Sequence, residues 1–126
     1  MQNAELDGKM KENIILEKSF DFSVRCVNAR KFLSERKNEY IMSKQLMRCG
    51  TSVGANVAEA QRGQSTADFA AKMAIALKEA YEAEFWIRLL YRTTYFNQKM
   101  YDSMEQDVQE LISILTSICK TTNLKK

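Results

Sequence analysis

Histidine is missing from the chain altogether, and with it go the commonest general base, the imidazole of a catalytic triad and the commonest metal ligand. Proline is also absent and glycine occurs only four times. Strands joined by tight turns depend on such residues, whereas long helices tolerate their scarcity, so the composition points to an all-α protein. Cysteine is sparse: Cys26, Cys49 and Cys119 stand far apart among apolar residues with no C-x-x-C pair, and read as small buried hydrophobes rather than zinc or redox ligands. No stretch reaches the roughly 18 apolar residues of a membrane span. Residues 1–12 mix both charge signs where a secretory leader would carry an apolar run. A cytoplasmic protein without a membrane partner is the expectation.

What is present fits a single packed domain. The chain has 126 residues, 45% hydrophobic and 28% charged, which suffices for one core without disulfides or metals. Residues 1–12 lack periodicity and read as a loose N-terminal arm, leaving residues 13–126 for the bundle. In residues 13–37, Ile15, Phe22, Cys26, Ala29 and Leu33 recur at helical spacing, with Phe20, Val24 and Val27 as a second stripe; this helix is expected to bury two faces. A second helix over 41–62 repeats Leu46, Gly50, Val53, Val57 and Ala60 at four and three, the spacing of a bundle seam. Ser65 followed by Asp68 resembles a capping box and starts a third helix over 66–94. A fourth, over 98–122, has one stripe: Met104, Val108, Leu111, Ile112, Leu115, Ile118 and Cys119. Short links make the whole an antiparallel up-down-up-down four-helix bundle.

The third helix is the odd one. Between Phe69 and Tyr91, 17 of 23 residues are apolar and spread around most of the circumference. Such a helix must be covered on several sides, which in so short a chain means a central location or contact with another subunit; the contrast with the single stripe of the fourth helix points to oligomerisation through the third. Tyr81, Phe85, Trp86 and Tyr91 are the candidate interface residues. Gly50, Gly54 and Ala58 recur every four residues; a helical glycine costs roughly 1 kcal/mol relative to alanine, so the string predicts close approach of another helix. Glu79 has apolar helical neighbours, and is expected to join Asn56 and Glu59 or a facing arginine in a buried polar layer, because an unpaired buried charge is costly.

Catalytic motifs fail on inspection. A di-iron bundle needs Glu-x-x-His pairs, which a chain without histidine cannot supply. Gly50 and Gly54 are separated by three residues and followed by Ala55-Asn56, whereas a P-loop has four and then Gly-Lys-Ser/Thr. Ser34 and Lys37 match S-x-x-K without its companion motifs. Glu82 and Glu84 lie four residues from Lys78 and Arg88, the spacing of surface ion pairs. No catalytic residue, metal site or cofactor is expected; the chain reads as not an enzyme.

Gln45-Leu46-Met47-Arg48-Cys49-Gly50-Thr51-Ser52-Val53-Gly54-Ala55-Asn56-Val57-Ala58-Glu59-Ala60, with Asp68-Phe69, Ala74-Ile75-Ala76-Leu77-Lys78-Glu79-Ala80 and Glu84-Phe85-Trp86-Ile87-Arg88-Leu89-Leu90, resembles the bacterial four-helix bundle family of 23S ribosomal RNA intervening sequences, over about Glu17 to Thr122. The resemblance implies an antiparallel bundle that assembles into a ring-shaped homopentamer without enzymatic activity. Proteins similar to that family include the accessory variability determinants of diversity-generating retroelements, pentameric barrels that bind nucleic acid and a reverse transcriptase.

Net charge is only +3, modest for a dedicated nucleic-acid binder, but its distribution is uneven. From Arg25 to Arg62 eight basic residues face three acidic ones, while residues 63–126 balance at eight each. Arg30, Lys31, Arg36, Lys37, Lys44, Arg48 and Arg62 form a candidate basic face on the first two helices, which a ring would multiply. RNA or DNA, held without base specificity, is one partner class. The alternative is a protein-interaction scaffold using the aromatic surplus of the third helix, with another protein as partner and no nucleic-acid role.

Overall fold

The computed structural model describes residues 2–124. Four helices fill it: α1 Gln2–Lys37, α2 Met42–Ala60, α3 Thr66–Arg92 and α4 Gln98–Leu124, with no strand among the described residues. Each helix packs on the next and α4 closes back onto α1, while the backbones of α1 and α3, and of α2 and α4, stay apart among the described residues. The array is therefore square in section, with α1 and α3 at opposite corners. Phe22, Leu33, Leu46, Val53, Val57, Ile87, Leu90, Val108, Leu111 and Leu115 meet in the centre, fully buried.

Helix α1 begins at Gln2, so the expected loose arm is helical from there on. Lys11 Nζ donates to Ser117 Oγ on α4 at 2.9 Å. Gly8 costs propensity alone, since nothing lies within 4 Å of where its Cβ would be. Helix α3 stops at Arg92 rather than 94 because Thr94 adopts φ 69°, and the Tyr95 and Phe96 amides then return to the Leu90 carbonyl at 2.9 and 3.1 Å. Asn38, with φ 55°, ends α1 in the same left-handed way. At the start of α3, Ser65 Oγ accepts from the Asp68 amide at 3.1 Å, satisfying one of the amides a helix start leaves bare.

The two seams of α1 differ in chemistry. Toward α2 small side chains of α1 sit directly on the glycine backbone: a Cβ at Gly50 would stand 2.3 Å from Cys26 Sγ, and one at Gly54 2.4 Å from Ser23 Oγ. Ser23 Oγ turns inward there, donating to the Ser19 carbonyl at 2.9 Å and contacting the Gly50 carbonyl at 3.1 Å. Toward α4 the contact is polar. Arg25 pairs with Asp107 and donates to Ser103 Oγ at 2.8 Å, and Lys18 pairs with Glu110. Exposed pairs of this kind are screened by solvent and hold little, so the glycine seam rather than the ionic one sets the spacing.

Candidate interaction surfaces

Large apolar side chains reach solvent along two of the four corners. On α1 these are Leu16, Phe20 and Val24, Phe20 being 67% exposed; on α3 they are Ile75, Tyr81 and Phe85, Phe85 being 56% exposed. The second face of α1 is thus uncovered within one chain, against the expectation that both faces are buried. No large apolar side chain on α4 is exposed among the described residues. On α3 the inward positions are Met73, Ile87 and Leu90 toward the two ends and Ala76, Ala80 and Ala83 between them, so the middle of that helix turns small residues inward and keeps Ile75, Tyr81 and Phe85 outside.

The four aromatics proposed for an interface divide. Tyr81 and Phe85 are exposed. Trp86 is half-buried, edge-on to Phe85 with ring centroids 5.0 Å apart, and its buried Nε1 has no partner. Tyr91 belongs to the contact within the chain: it stacks on Tyr101 of α4 at 4.2 Å and its hydroxyl meets Gln98.

Of the polar layer expected around Glu79, the facing arginine is found, as Arg48, but Asn56 and Glu59 do not join it. Asn56 Nδ2 donates to the Ser52 carbonyl on its own helix at 2.8 Å, and exposed Glu59 pairs with Lys72 at 3.4 Å. Glu79 is largely buried and is met by Arg48 at 3.5 Å. Arg48 also binds Glu82 and takes Gln45 Oε1 at 3.1 Å, so Glu82 reaches across to α2 instead of pairing with Lys78. Glu84 likewise faces α4, where Gln109 Nε2 bridges it to Glu105. Burial, then the hydrogen bond and charge of Glu105, push the Glu84 carboxyl above its usual range. Helical spacing named same-helix partners; the packing supplied cross-helix ones. Ala58 is exposed, so close approach is confined to Gly50 and Gly54.

The seven basic candidates do not share one face. Arg48 is neutralised between α2 and α3, and Arg62 lies past the end of α2, at the opposite end of the bundle from the 38–41 turn. Arg30, Lys31, Arg36, Lys37 and Lys44 gather near that turn, and Arg92 and Lys99 flank the 93–97 turn at the same end. Charge counting along the first two helices missed the last two because the end of a bundle collects residues from all four helices. Arg36, Lys37, Lys44, Arg92 and Lys99 are exposed and make no ion pair among the described residues. Glu39 is the buried acid there. Burial acts to raise its carboxyl, but the Ser43, Met42 and Ile41 amides outweigh that and hold it below the ordinary range.

Little else suggests chemistry. At the far end a cavity of about 700 Å³ opens between the start of α1, the 61–65 turn and the end of α4, lined by Lys11, Ser65, Thr66, Phe69, Thr121 and Thr122 among others. Its buried hydroxyl, Thr122 Oγ1, is already bound to the Ile118 carbonyl at 2.7 Å. No group of histidine, cysteine or acidic residues among the described residues could hold a metal. The cysteines are free, and burial pushes the Cys49 thiol up to about 12, with the Glu82 carboxylate adding to it. No helix is long and apolar enough to cross a membrane.

These features define a four-helix bundle distinguished by its outer surfaces, with two apolar corners and one cationic end. A family model for the 23S rRNA-intervening sequence protein matches residues 11–117, and the chain belongs to that family. It is similar to a crystal structure of a protein of unknown function from the S23 ribosomal protein family of Bacteroides thetaiotaomicron, with 49% identity and a TM-score of 0.85, covering 87% of this chain and 98% of that one. No curated protein matches.

Proposed function

We propose that the chain is a non-enzymatic, homo-oligomeric module of the cytoplasm, a ring whose cationic ends hold RNA or DNA by the phosphate backbone without base specificity. The observation that carries the assembly is the pair of apolar stripes on opposite corners, Leu16-Phe20-Val24 on α1 and Tyr81-Phe85 on α3. A two-fold contact uses the same patch on both partners and would leave one stripe wet; a head-to-tail contact, α1 of one copy on α3 of the next, covers both and closes into a ring. Five as the subunit number, and kinship with the accessory variability determinants, come from the resemblance of the sequence. Ring closure sets the cationic ends side by side, and summed charge then attracts a polyanion that one copy at +3 would barely hold.

Light scattering tests the assembly. Phe20→Glu and Phe85→Glu each give monomers, and mixing the two restores a pair through the one intact combination of faces. A Phe85→Glu protein that remains a symmetric dimer overturns the head-to-tail reading. The second reading, a scaffold for another protein, rests on the same exposure of Tyr81 and Phe85. A partner retained at high salt, where phosphate contacts fail, would favour it.

A further inference from the structure

The turn between α1 and α2 pushes two apolar side chains into solvent at the cationic end. Tyr40 is 53% exposed and Ile41 78%, the most exposed large apolar residue among those described. The turn that carries them is tightly held. The Glu39 amide donates to the Leu33 carbonyl at 2.9 Å. The Glu39 carboxylate accepts from the Ile41, Met42 and Ser43 amides at 2.9, 2.7 and 2.8 Å. Arg30 Nη1 donates to the Tyr40 carbonyl at 2.9 Å. Glu39 is thereby engaged with the start of α2, which leaves Glu35 as the one exposed carboxylate between Arg30 and Gln45. Exposed Arg36, Lys37 and Lys44 flank the turn without ion-pair partners among the described residues.

We propose that this turn is a contact point for single-stranded nucleic acid, with the Tyr40 ring stacked on a base, Ile41 packed beside it, and Arg36, Lys37 and Lys44 on the neighbouring phosphates. The proposal rests on the cationic end being a phosphate-binding surface, and adds which form of nucleic acid it takes. Cations alone serve duplex and single strand alike. An exposed aromatic ring discriminates, because only an unpaired strand offers a free base face for stacking. A lipid surface fits less well: one tyrosine and one isoleucine on a turn present far less apolar area than the helical faces that lie in membrane interfaces.

Fluorescence anisotropy with a labelled oligouridine and a labelled duplex RNA, at low salt, tests this on the whole chain. Tyr40→Ala is expected to weaken oligouridine binding about tenfold and to leave duplex binding unchanged, while Tyr40→Phe keeps both. Lys44→Gln weakens both ligands and lowers the salt slope on the single strand by about 0.7. Tyr40 and Ile41 are exposed, so circular dichroism and light scattering of the variants should match the parent. The proposal is overturned if Tyr40→Ala leaves oligouridine binding intact or weakens the two RNAs equally. It also falls if Tyr40→Ala changes the oligomeric state, or if phosphatidylserine vesicles are bound through Tyr40 instead. Should the unmodified protein bind neither RNA, the phosphate-binding reading of the cationic end falls with it.

Discussion

Helices α3 and α4 have the same length, 27 residues, and pack side by side, yet only α3 shows solvent large apolar side chains among the described residues. Helix α4 turns Val108, Leu111, Ile112 and Leu115 inward and shows solvent no large apolar residue among those described. Helix α3 buries Met73, Ile87 and Leu90 toward its ends but only Ala76, Ala80 and Ala83 along its middle, and leaves Ile75, Tyr81 and Phe85 outside. The number of apolar residues in a helix therefore does not say how much of it the monomer hides; where the bulky ones fall does. Alanines let α3 sit close to its neighbours, and the bulk displaced from that seam becomes the surface available to other copies.

Breaking the inner face of α4 should cost most. Leu115→Ala, at a fully buried position, is expected to lose about 3 kcal/mol in urea unfolding through lost burial and a cavity. Overfilling the inner face of α3 comes next: Ala80→Leu has no room and should cost about 2 kcal/mol, with the melting temperature falling accordingly. Phe85→Ser on the outer face should change the unfolding free energy of the dissociated chain by under about 0.5 kcal/mol while abolishing self-association in light scattering. An outer-face variant that unfolds as readily as Leu115→Ala would erase the contrast between the two helices.

A subtler effect sits where the helices face each other with like charges. The Glu84 carboxyl is held above its ordinary 4.5 by burial and by Glu105. A raised carboxyl contributes stability at low pH that is lost as pH climbs through the folded value. Glu84→Gln should therefore match the parent below about pH 4 and exceed it slightly, by ~0.5 kcal/mol, near neutrality. Unfolding curves at the two pH values provide the measurement.

Periodicity made the four helices legible, because the seam residues Leu46, Val53, Val57, Leu111 and Leu115 repeat at helical spacing whatever surrounds them. The glycines at 50 and 54 could be read as a close seam or as a break in the helix, and the unbroken α2 favours the seam, but Ala58, being an ordinary helix former, gave no sign that it faces solvent. Partner choice was not legible. Glu82 and Glu84 each had a plausible cation four residues away on their own helix, and only the packed arrangement brings Arg48 and Gln109 nearer. The N-terminal turns failed for a related reason: their stripe is short and polar, and their support comes from Ser117 of α4, over a hundred residues along the chain. The cationic end escaped a helix-by-helix count because a bundle end is assembled from segments distant in sequence.

Both reversals at that end pivot on a left-handed residue that is not glycine, Asn38 at φ 55° and Thr94 at φ 69°. Glycine would reach these angles with less strain but would leave the unfolded chain more freedom to lose. Asn38→Gly and Thr94→Gly would therefore set relief of a strained angle against a costlier ordering of the chain.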